Sequence, residues 1–288
     1  MLASLLSLLA LHNLSFPAAA GPAVLPLPAE ISAYAEKTGT SVRPQLGAKS
    51  SLSIDLETGK VLYEENSSSE LPMASLTKLM TLLVILENHS LDEVVDIDPR
   101  ATQVEPAKIF LLAHEKITVR DLVRSIVVKS ANDSALALAY YDSGDLDTFV
   151  TKMNTRARQL GMLGTSFQNP IGFDDPQQYS TADDLAILAR KVYKIPIVQN
   201  TAVLTKATVS SVDQKETHDL ESTNELLNSY LKVFGLKTGT TDAAGQCLIS
   251  IVESPSGHKI MNIMLNSPSR FNEAKLLSQW IFDNYSWI

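Results

Sequence analysis

Cysteine and histidine are both scarce in this sequence of 288 residues, and their scarcity removes several classes of function. A single cysteine, Cys247, excludes an internal disulfide, and the apolar run at residues 247–252 predicts a buried strand rather than a reactive thiol. The five histidines do not have the spacing of a metal site: His12, His89, His114, His218 and His258. We therefore predict no metal site, no zinc peptidase chemistry and no cofactor.

Basic residues are also few. The chain has 24 Lys and Arg against 32 Asp and Glu, which gives a net charge of −8 and a pI of about 5.2. An acidic chain of this kind predicts neither a nucleic-acid partner nor a polybasic membrane patch. Aromatic residues make up only 6%, but the hydrophobic fraction of 45% is enough for the core of one large domain or two small ones.

The N-terminal segment contains no Lys or Arg before Lys37. Residues 1–20 nevertheless combine a leucine-rich stretch with the small residues Ala18-Ala19-Ala20, and so predict a secretory signal peptide that lacks the usual basic start. An uncleaved N-terminal anchor is the alternative. Prolines are frequent in residues 21–46, which predicts a linker, and residues 47–288 are expected to form the folded domain.

Hydrophobic patterns predict strands at both ends of the folded part and helices between them. A hairpin is expected at 51–55 and 60–63, after a short helix at 30–37. Helical spacing follows at 121–128, 133–140, 146–160 and 181–193. Strands return at 206–212, 231–240, 245–253 and 259–265, before a terminal helix at 270–285. These elements predict an α+β fold, in which an antiparallel sheet built from both chain ends is flanked by helices and carries an inserted helical subdomain.

The terminal helix is rich in aromatic residues, which raises the question of membrane attachment. Leu276, Leu277, Trp280 and Ile281 are predicted to pack on the sheet. The polar side of this helix carries acidic residues instead of the basic face that an interfacial helix needs. We therefore predict no stable membrane anchor, and an exported protein in the periplasm or on the outer, cell-wall side of the cytoplasmic membrane.

A helix predicted at residues 72–87 has almost no polar face beyond its first turn, which places it inside a large core. Ser75 and Lys78 lie three residues apart at its N-terminal end and therefore share one face. A serine beside a buried amine is an activated nucleophile that needs no histidine. The N-terminal end of a helix also offers free backbone N–H groups to a developing oxyanion.

Two further short motifs follow along the chain. Ser130-Ala131-Asn132 lies where two predicted helices meet, and Lys237-Thr238-Gly239 lies near the end of the predicted strand at 231–240. No motif is informative alone, because each has copies elsewhere: Ser229 with Lys232, Ser256 with Lys259, Ser222-Thr223-Asn224, and Lys37-Thr38-Gly39-Thr40. The order of the three motifs and their structural context carry the information.

Together these motifs resemble the low-molecular-weight penicillin-binding proteins, specifically the serine-type D-alanyl-D-alanine carboxypeptidases. The resemblance runs from about residue 48 to the C-terminus, and the extra copies fall outside the motif order of that family. It is carried by residues 74–81, 130–133, 160–162, 169–172, 179–185 and 235–239, followed by Ala244-Gly245. It implies that residues 47–288 are a transpeptidase-like catalytic domain that acts on peptidoglycan stem peptides and is acylated by β-lactam inhibitors.

The resemblance implies the same catalytic roles as the residue types do. Ser75 attacks the carbonyl carbon of the penultimate D-Ala, and Lys78 takes the serine proton, which requires a neutral amine. Burial beside a second ammonium, Lys237, lowers a lysine pKa in the needed direction. Ser130 relays a proton to the departing amine, and Asn132 donates to a substrate carbonyl and orients Lys78.

The strand around Lys237 is expected to bind the substrate. Gly239 lets an extended peptide approach closely, while Thr238 and Thr240 offer hydroxyl groups to its terminal carboxylate. Backbone N–H groups of Ser75 and Thr240 form the expected oxyanion hole. The predicted site therefore has the catalytic residues Ser75, Lys78 and Ser130 and the substrate-binding residues Asn132, Lys237, Thr238, Gly239 and Thr240.

Three other functions stay open at this point. An endopeptidase that cleaves peptidoglycan cross-links uses the same acylation chemistry. A class A β-lactamase resembles this arrangement but places a glutamate between the second and third motifs, and no Glu occurs from Ser134 to Lys215. A catalytically silent peptidoglycan-binding protein would not need the full set of polar residues that is present here.

Overall fold

A five-stranded antiparallel sheet forms the centre of the structure. The computed structural model describes residues 33–288, so the predicted signal peptide at 1–20 and the first part of the predicted linker lie outside the described residues. The strands are β1 Ala35–Lys37, β2 Ser50–Asp55, β3 Val61–Glu65, β4 Val94–Asp96, β5 Lys116–Thr118, β6 Lys206–Ser210, β7 Thr217–Glu221, β8 Lys232–Thr241, β9 Gly245–Glu253, β10 Lys259–Ser267 and β11 Tyr285–Trp287. The α-helices are α1 Lys78–Asn88, α2 Val119–Lys129, α3 Asn132–Ser143, α4 Leu146–Gln159, α5 Ala182–Tyr193, α6 Pro196–Ala202 and α7 Arg270–Asn284.

This sheet is assembled from the two ends of the described chain. Its strand order is β3, β2, β10, β9, β8, and each neighbouring pair is antiparallel. In the sequence, β2 and β3 come before helices α1 to α6, and β8, β9 and β10 come after them. The predicted α+β fold with an inserted helical block is therefore confirmed.

The side chains of β9 show that the sheet is covered on both faces. Ile249 and Ile251 belong to the larger core with the helical block, whereas Leu248 and Val252 belong to a smaller core with α7. Successive residues of a strand point to opposite faces, so β9 is buried on both sides. Cys247 is fully buried in this strand, and burial raises the pKa of its thiol to about 11. The prediction that Cys247 packs in a strand is confirmed.

Helix α1 runs through the larger core. All its residues from Lys78 to Ile85 are buried, as expected for a helix with no polar face. It packs against α3, α4 and α5. The turn that precedes this helix and carries Ser75 packs against β8 and β9, so Ser75 lies at the boundary between the sheet and the helical block.

The two chain ends differ from the sequence prediction. Residues 35–37 form a strand rather than the end of the helix predicted at 30–37, and this strand pairs with β11. The terminal helix ends at Asn284, one residue earlier than predicted. Leu276 does not pack on the sheet, because 49% of it is exposed, whereas Leu277 and Ile281 are fully buried on that face. The pairing of β1 with β11 joins distant parts of the chain, which no local pattern reports.

The helix predicted at 72–87 is α-helical only from Lys78, after a 3₁₀ turn at Ala74–Thr77. The other predicted helices and strands are present, and five short elements were not predicted: β4, β5, β7, β11 and α6. The aromatic residues of the C-terminal region pack against the smaller core: Trp280, Phe282, Tyr285 and Trp287. Among residues 33–288, no helix combines the length and the apolar character needed to cross a membrane.

A series of buried side-chain hydrogen bonds, here called the Asn262 chain, connects α7 to the sheet. Asn262 on β10 accepts a hydrogen bond from the Ser53 hydroxyl at 2.7 Å and donates to the Ser278 hydroxyl of α7 at 2.8 Å. Ser278 in turn donates to the carbonyl of Ala274 at 2.7 Å. Asn262, Ser53 and Ser278 are all fully buried, so each contact replaces lost hydration.

Replacing Asn262 with Ala leaves the Ser53 hydroxyl buried without its acceptor. We expect Asn262→Ala to lower the free energy of unfolding by about 1–3 kcal/mol. The matched control is Asn272→Ala at an exposed position of α7, which should change stability by less than about 0.5 kcal/mol. Urea denaturation followed by circular dichroism measures both, and equal effects of the two substitutions would contradict a structural role for the Asn262 chain.

Candidate active site

Ser75 lies in a 3₁₀ turn, Ala74–Thr77, that leads directly into α1. The Lys78 Nζ atom lies 2.8 Å from Ser75 Oγ and donates a second hydrogen bond, 2.6 Å long, to the carbonyl oxygen of Ile171. Lys78 is fully buried, whereas Ser75 is partly exposed. The amine therefore reaches the serine from the protein interior, while the hydroxyl stays accessible to a ligand.

The electrostatic surroundings of Lys78 favour its neutral form. Burial holds its pKa well below the ordinary lysine value of 10.5, and the charge of Lys237 lowers it further. The carboxylate of Asp133 acts in the opposite direction. A neutral amine 2.8 Å from a serine hydroxyl is placed to accept the serine proton.

Ser130 belongs to the helical block and contacts the sheet at the site. It ends α2 in the left-handed conformation, with φ at 61°, and this turns the chain toward α3. Its hydroxyl accepts a 2.6 Å hydrogen bond from Lys237 Nζ, which also donates to the Thr238 carbonyl at 2.9 Å. Lys237 is buried, and burial together with the charge of Arg270 lowers its pKa to about 7. The contact between Ser130 and Lys237 joins the helical block to the sheet.

Asn132 lies at the start of α3, and its contacts differ from the expected ones. Its side-chain amide donates to the Pro106 carbonyl at 2.6 Å, and its backbone N–H donates to the Ala107 carbonyl at 2.7 Å. Its side-chain oxygen is buried and has no hydrogen-bond partner among residues 33–288. The expected contact that orients Lys78 is therefore absent in this part of the chain, and Lys78 is oriented by the Ile171 carbonyl instead.

The loop that supplies this carbonyl is shaped by its own polar groups. The side-chain oxygen of Asn169 accepts hydrogen bonds from the backbone N–H groups of Gly172 at 2.7 Å and Phe173 at 3.0 Å. Gly172 has φ at 92°, and a Cβ atom there would lie only 2.0 Å from the Ala74 carbonyl oxygen. The loop can thus lie against the serine turn only if residue 172 is a glycine.

Strand β8 lies at the edge of the sheet beside Ser75. A Cβ atom at Gly239 would lie 2.9 Å from the Ser75 backbone nitrogen, so a glycine is needed for the strand to pass this close. Thr238 is buried, whereas Thr240 is exposed. An edge strand keeps backbone groups free to pair with an extended peptide.

Arg270 was not identified from the sequence. Its Nη1 atom donates to the Gly239 carbonyl and to the Thr240 hydroxyl, both at 2.7 Å, so its guanidinium lies against β8. Burial lowers its pKa. A cation at the first residue of a helix opposes the helix dipole, and this unfavourable placement is the signal that could have identified it. Two cations close together, Arg270 and Lys237, make this end of the site attractive to an anion.

The extra copies of the three motifs lie at other positions in the fold. Lys37 belongs to β1, Ser256 lies in a turn between β9 and β10, and Lys232 starts β8. The exception is Thr223 of the Ser222-Thr223-Asn224 copy, whose hydroxyl lies 2.5 Å from that of Thr238. Within residues 33–288, no group of three or more His, Cys, Asp or Glu side chains is arranged to hold a metal ion.

A serine against a buried amine, with an open strand edge and paired cations beside it, defines the class of serine and lysine acyl-transfer sites. Residues 36–269 match the D-alanyl-D-alanine carboxypeptidase family. The chain belongs to this family.

Individual relatives agree with this assignment. The chain is 38% identical to D-alanyl-D-alanine carboxypeptidase DacF of Bacillus subtilis over 207 residues, 70% of this chain and 53% of DacF. It is 32% identical to DacC of Escherichia coli over 279 residues, 92% of this chain and 68% of DacC. The crystal structure of the Streptomyces K15 DD-transpeptidase has a TM-score of 0.79 at 27% identity and covers 84% of this chain and 99% of that one. The chain therefore spans about half the length of DacF.

Gly172 offers a test of the geometry around Ser75. We expect Gly172→Ala to push the loop and the serine turn apart, and so to slow the acylation of Ser75 by benzylpenicillin about 100-fold. The matched control is Gly161→Ala, since Gly161 also has a positive φ, 80°, but has no atom within 4 Å of the place that an added methyl group would take. That control bears only the backbone strain, about 1–2 kcal/mol of stability.

Intact-protein mass spectrometry over time measures both acylation rates. If Gly172→Ala is acylated as fast as Gly161→Ala, the close contact at Ala74 does not position the serine.

Proposed function

We propose that this chain is a serine-type D-alanyl-D-alanine carboxypeptidase that removes the terminal D-Ala of peptidoglycan stem peptides through an acyl-enzyme on Ser75. The observation that carries the proposal is the 2.8 Å contact between Ser75 Oγ and the fully buried amine of Lys78. Family membership supports the substrate class. We also propose that the protein acts outside the cytoplasmic membrane, in the periplasm or on the cell-wall side, where this substrate lies.

In the proposed acylation, neutral Lys78 takes the Ser75 proton as Ser75 Oγ bonds to the carbonyl carbon of the penultimate D-Ala. The carbonyl electrons move to an oxyanion that accepts hydrogen bonds from the backbone N–H groups of Ser75 and Thr240. When this intermediate collapses, the C–N bond breaks and the amine of the terminal D-Ala receives, through Ser130, the proton that Lys78 took from Ser75, so Lys78 is neutral again. The hydrogen bond from Lys237 to Ser130 supports this relay, because it holds the hydroxyl in one position.

Substrate binding in this proposal depends on the terminal carboxylate. Arg270, Thr238 and Thr240 carry donor groups beside β8. The Thr240 hydroxyl donates to the Gly239 carbonyl at 2.8 Å and would exchange this hydrogen bond for one to the carboxylate. A free carboxylate is the anion that a carboxypeptidase must recognise. In the second half of the reaction, water replaces the departed D-Ala and gives its proton to Lys78. The water oxygen bonds to the acyl carbon, and the ester bond between that carbon and Ser75 Oγ then breaks. Lys78 returns the proton to Ser75 Oγ, and the shortened peptide leaves with a free carboxyl group.

The β-lactamase alternative lacks support in the loop beside the serine. No Glu occurs from Ser134 to Lys215, where a deacylating base would be expected. Asp174 of this loop is engaged elsewhere, because its carboxylate accepts hydrogen bonds from the Thr241 hydroxyl at 2.5 Å and the Ala243 N–H at 3.1 Å. A β-lactam acyl-enzyme should therefore hydrolyse slowly.

The function is tested with a stem pentapeptide that ends in D-Ala-D-Ala and with a cross-linked peptide dimer. We expect release of D-Ala from the pentapeptide, and a loss of kcat/KM on the order of 10⁴-fold or more in Ser75→Ala. Benzylpenicillin should add one acyl group, on Ser75. The matched control is Ser256→Ala, which removes the serine of a second Ser-x-x-Lys copy and should leave both reactions unchanged.

Three outcomes would favour one of the other functions. Cleavage of the dimer without D-Ala release would favour the endopeptidase, and rapid nitrocefin turnover would favour the β-lactamase. A folded protein that neither releases D-Ala nor forms the penicillin adduct would leave only the silent peptidoglycan-binding protein.

A further inference from the structure

Thr223 bridges the two sides of the site, although its motif copy had no role in the sequence analysis. It follows β7, and its backbone N–H donates to the carbonyl of Val128 at 3.3 Å, two residues before Ser130. Its hydroxyl lies 2.5 Å from the hydroxyl of Thr238 on β8. Thr223 therefore contacts the end of α2 through its backbone and the binding strand through its side chain.

The two hydroxyl groups differ in their exposure to water and therefore in their possible hydrogen-bond partners. Thr238 is only 4% exposed, and within residues 33–288 its hydroxyl has one hydrogen-bond partner, Thr223. Thr223 is exposed, so water can donate to its oxygen while it donates its own proton to Thr238. In that arrangement the proton of Thr238 stays free to point at a bound group.

The bound group that this arrangement suits is an anion. Thr238 and Thr240 are two residues apart on β8 and therefore lie on the same side of the strand. Arg270 donates to Thr240 on that side, and Lys237 donates to the Thr238 carbonyl. A hydroxyl that accepts from one neighbour becomes a stronger donor to the next, so Thr223 strengthens the hydrogen bond that Thr238 makes to a carboxylate.

We propose that Thr223 is a positioning residue for recognition of the terminal carboxylate, which it serves by donating to Thr238 and leaving the Thr238 proton free for the ligand. This inference rests on the proposed function for the identity of the substrate. The residue acts through Thr238 and does not itself touch the reacting atoms.

The side chain can be tested without disturbing the backbone contact. Thr223→Val keeps the shape and the N–H that bonds to Val128 but removes the hydroxyl, whereas Thr223→Ser keeps the hydroxyl. Since Thr223 is exposed, neither substitution disturbs the core. Each variant is compared with the unsubstituted protein on two ligands that differ only in the carboxylate, benzylpenicillin and its methyl ester.

We expect Thr223→Val to slow the acylation of Ser75 by benzylpenicillin about threefold to tenfold, and to leave acylation by the methyl ester unchanged. The KM for the pentapeptide should rise by a similar factor, with kcat nearly unchanged. Thr223→Ser should stay close to the unsubstituted protein in all three measurements.

Equal slowing with benzylpenicillin and with the ester would show that Thr223 only supports the fold, and no slowing with either would show that its hydroxyl is dispensable. Either result overturns the inference, as does a Thr223→Ser variant that behaves like Thr223→Val. The penicillin pair reports on Thr223 without any peptide substrate. A failure of the unsubstituted protein to release D-Ala would therefore count against the carboxypeptidase proposal separately.

Discussion

The structure depends on the cost of removing a lysine ammonium group from water. Lys78 and Lys237 are both fully enclosed, and neither makes a salt bridge among the described residues. The charged form of such a group is strongly disfavoured by burial, so the pKa falls until the neutral amine is accessible. A neutral Lys78 still needs fixed partners, which Ser75 and the Ile171 carbonyl supply. In the proposed mechanism, Ser75 is therefore activated by the buried amine of Lys78 instead of by a histidine.

The pKa values of the buried basic residues around the site depend on one another. Arg270 lowers the pKa of Lys237, and Lys237 lowers that of Lys78. An anion bound between Arg270 and Lys237 would favour the protonated form of Lys237, because opposite charges stabilise one another. A charged Lys237 in turn holds Lys78 neutral and donates to Ser130. Recognition of a carboxylate and activation of Ser75 would therefore depend on the same buried cations.

Local patterns were sufficient for the elements that carry the motifs. The apolar run of α1 and the three-residue spacing of Ser75 and Lys78 predict a shared face in any helix, and the alternation in β8 to β10 predicts strands regardless of their partners. The groups that the sequence did not identify have roles that depend on contacts formed only in the folded structure. The Ile171 carbonyl is a backbone atom with no residue signature, and Thr223 matters only because it lies against Thr238. The strand at Ala35–Lys37 likewise forms only because the other chain end pairs with it.

Burial and the charge of Lys237 favour the neutral form of Lys78, and a titration of this one side chain tests their effect most directly. Lysine labelled with ¹³C at Cε reports protonation by NMR, and the Lys78 signal is assigned by its loss in Lys78→Met. We expect a Lys78 pKa well below 10.5, and a rise of that pKa in Lys237→Met, where the neighbouring charge is gone. A Lys78 pKa near 10.5, or one that Lys237→Met leaves unchanged, would contradict this expectation.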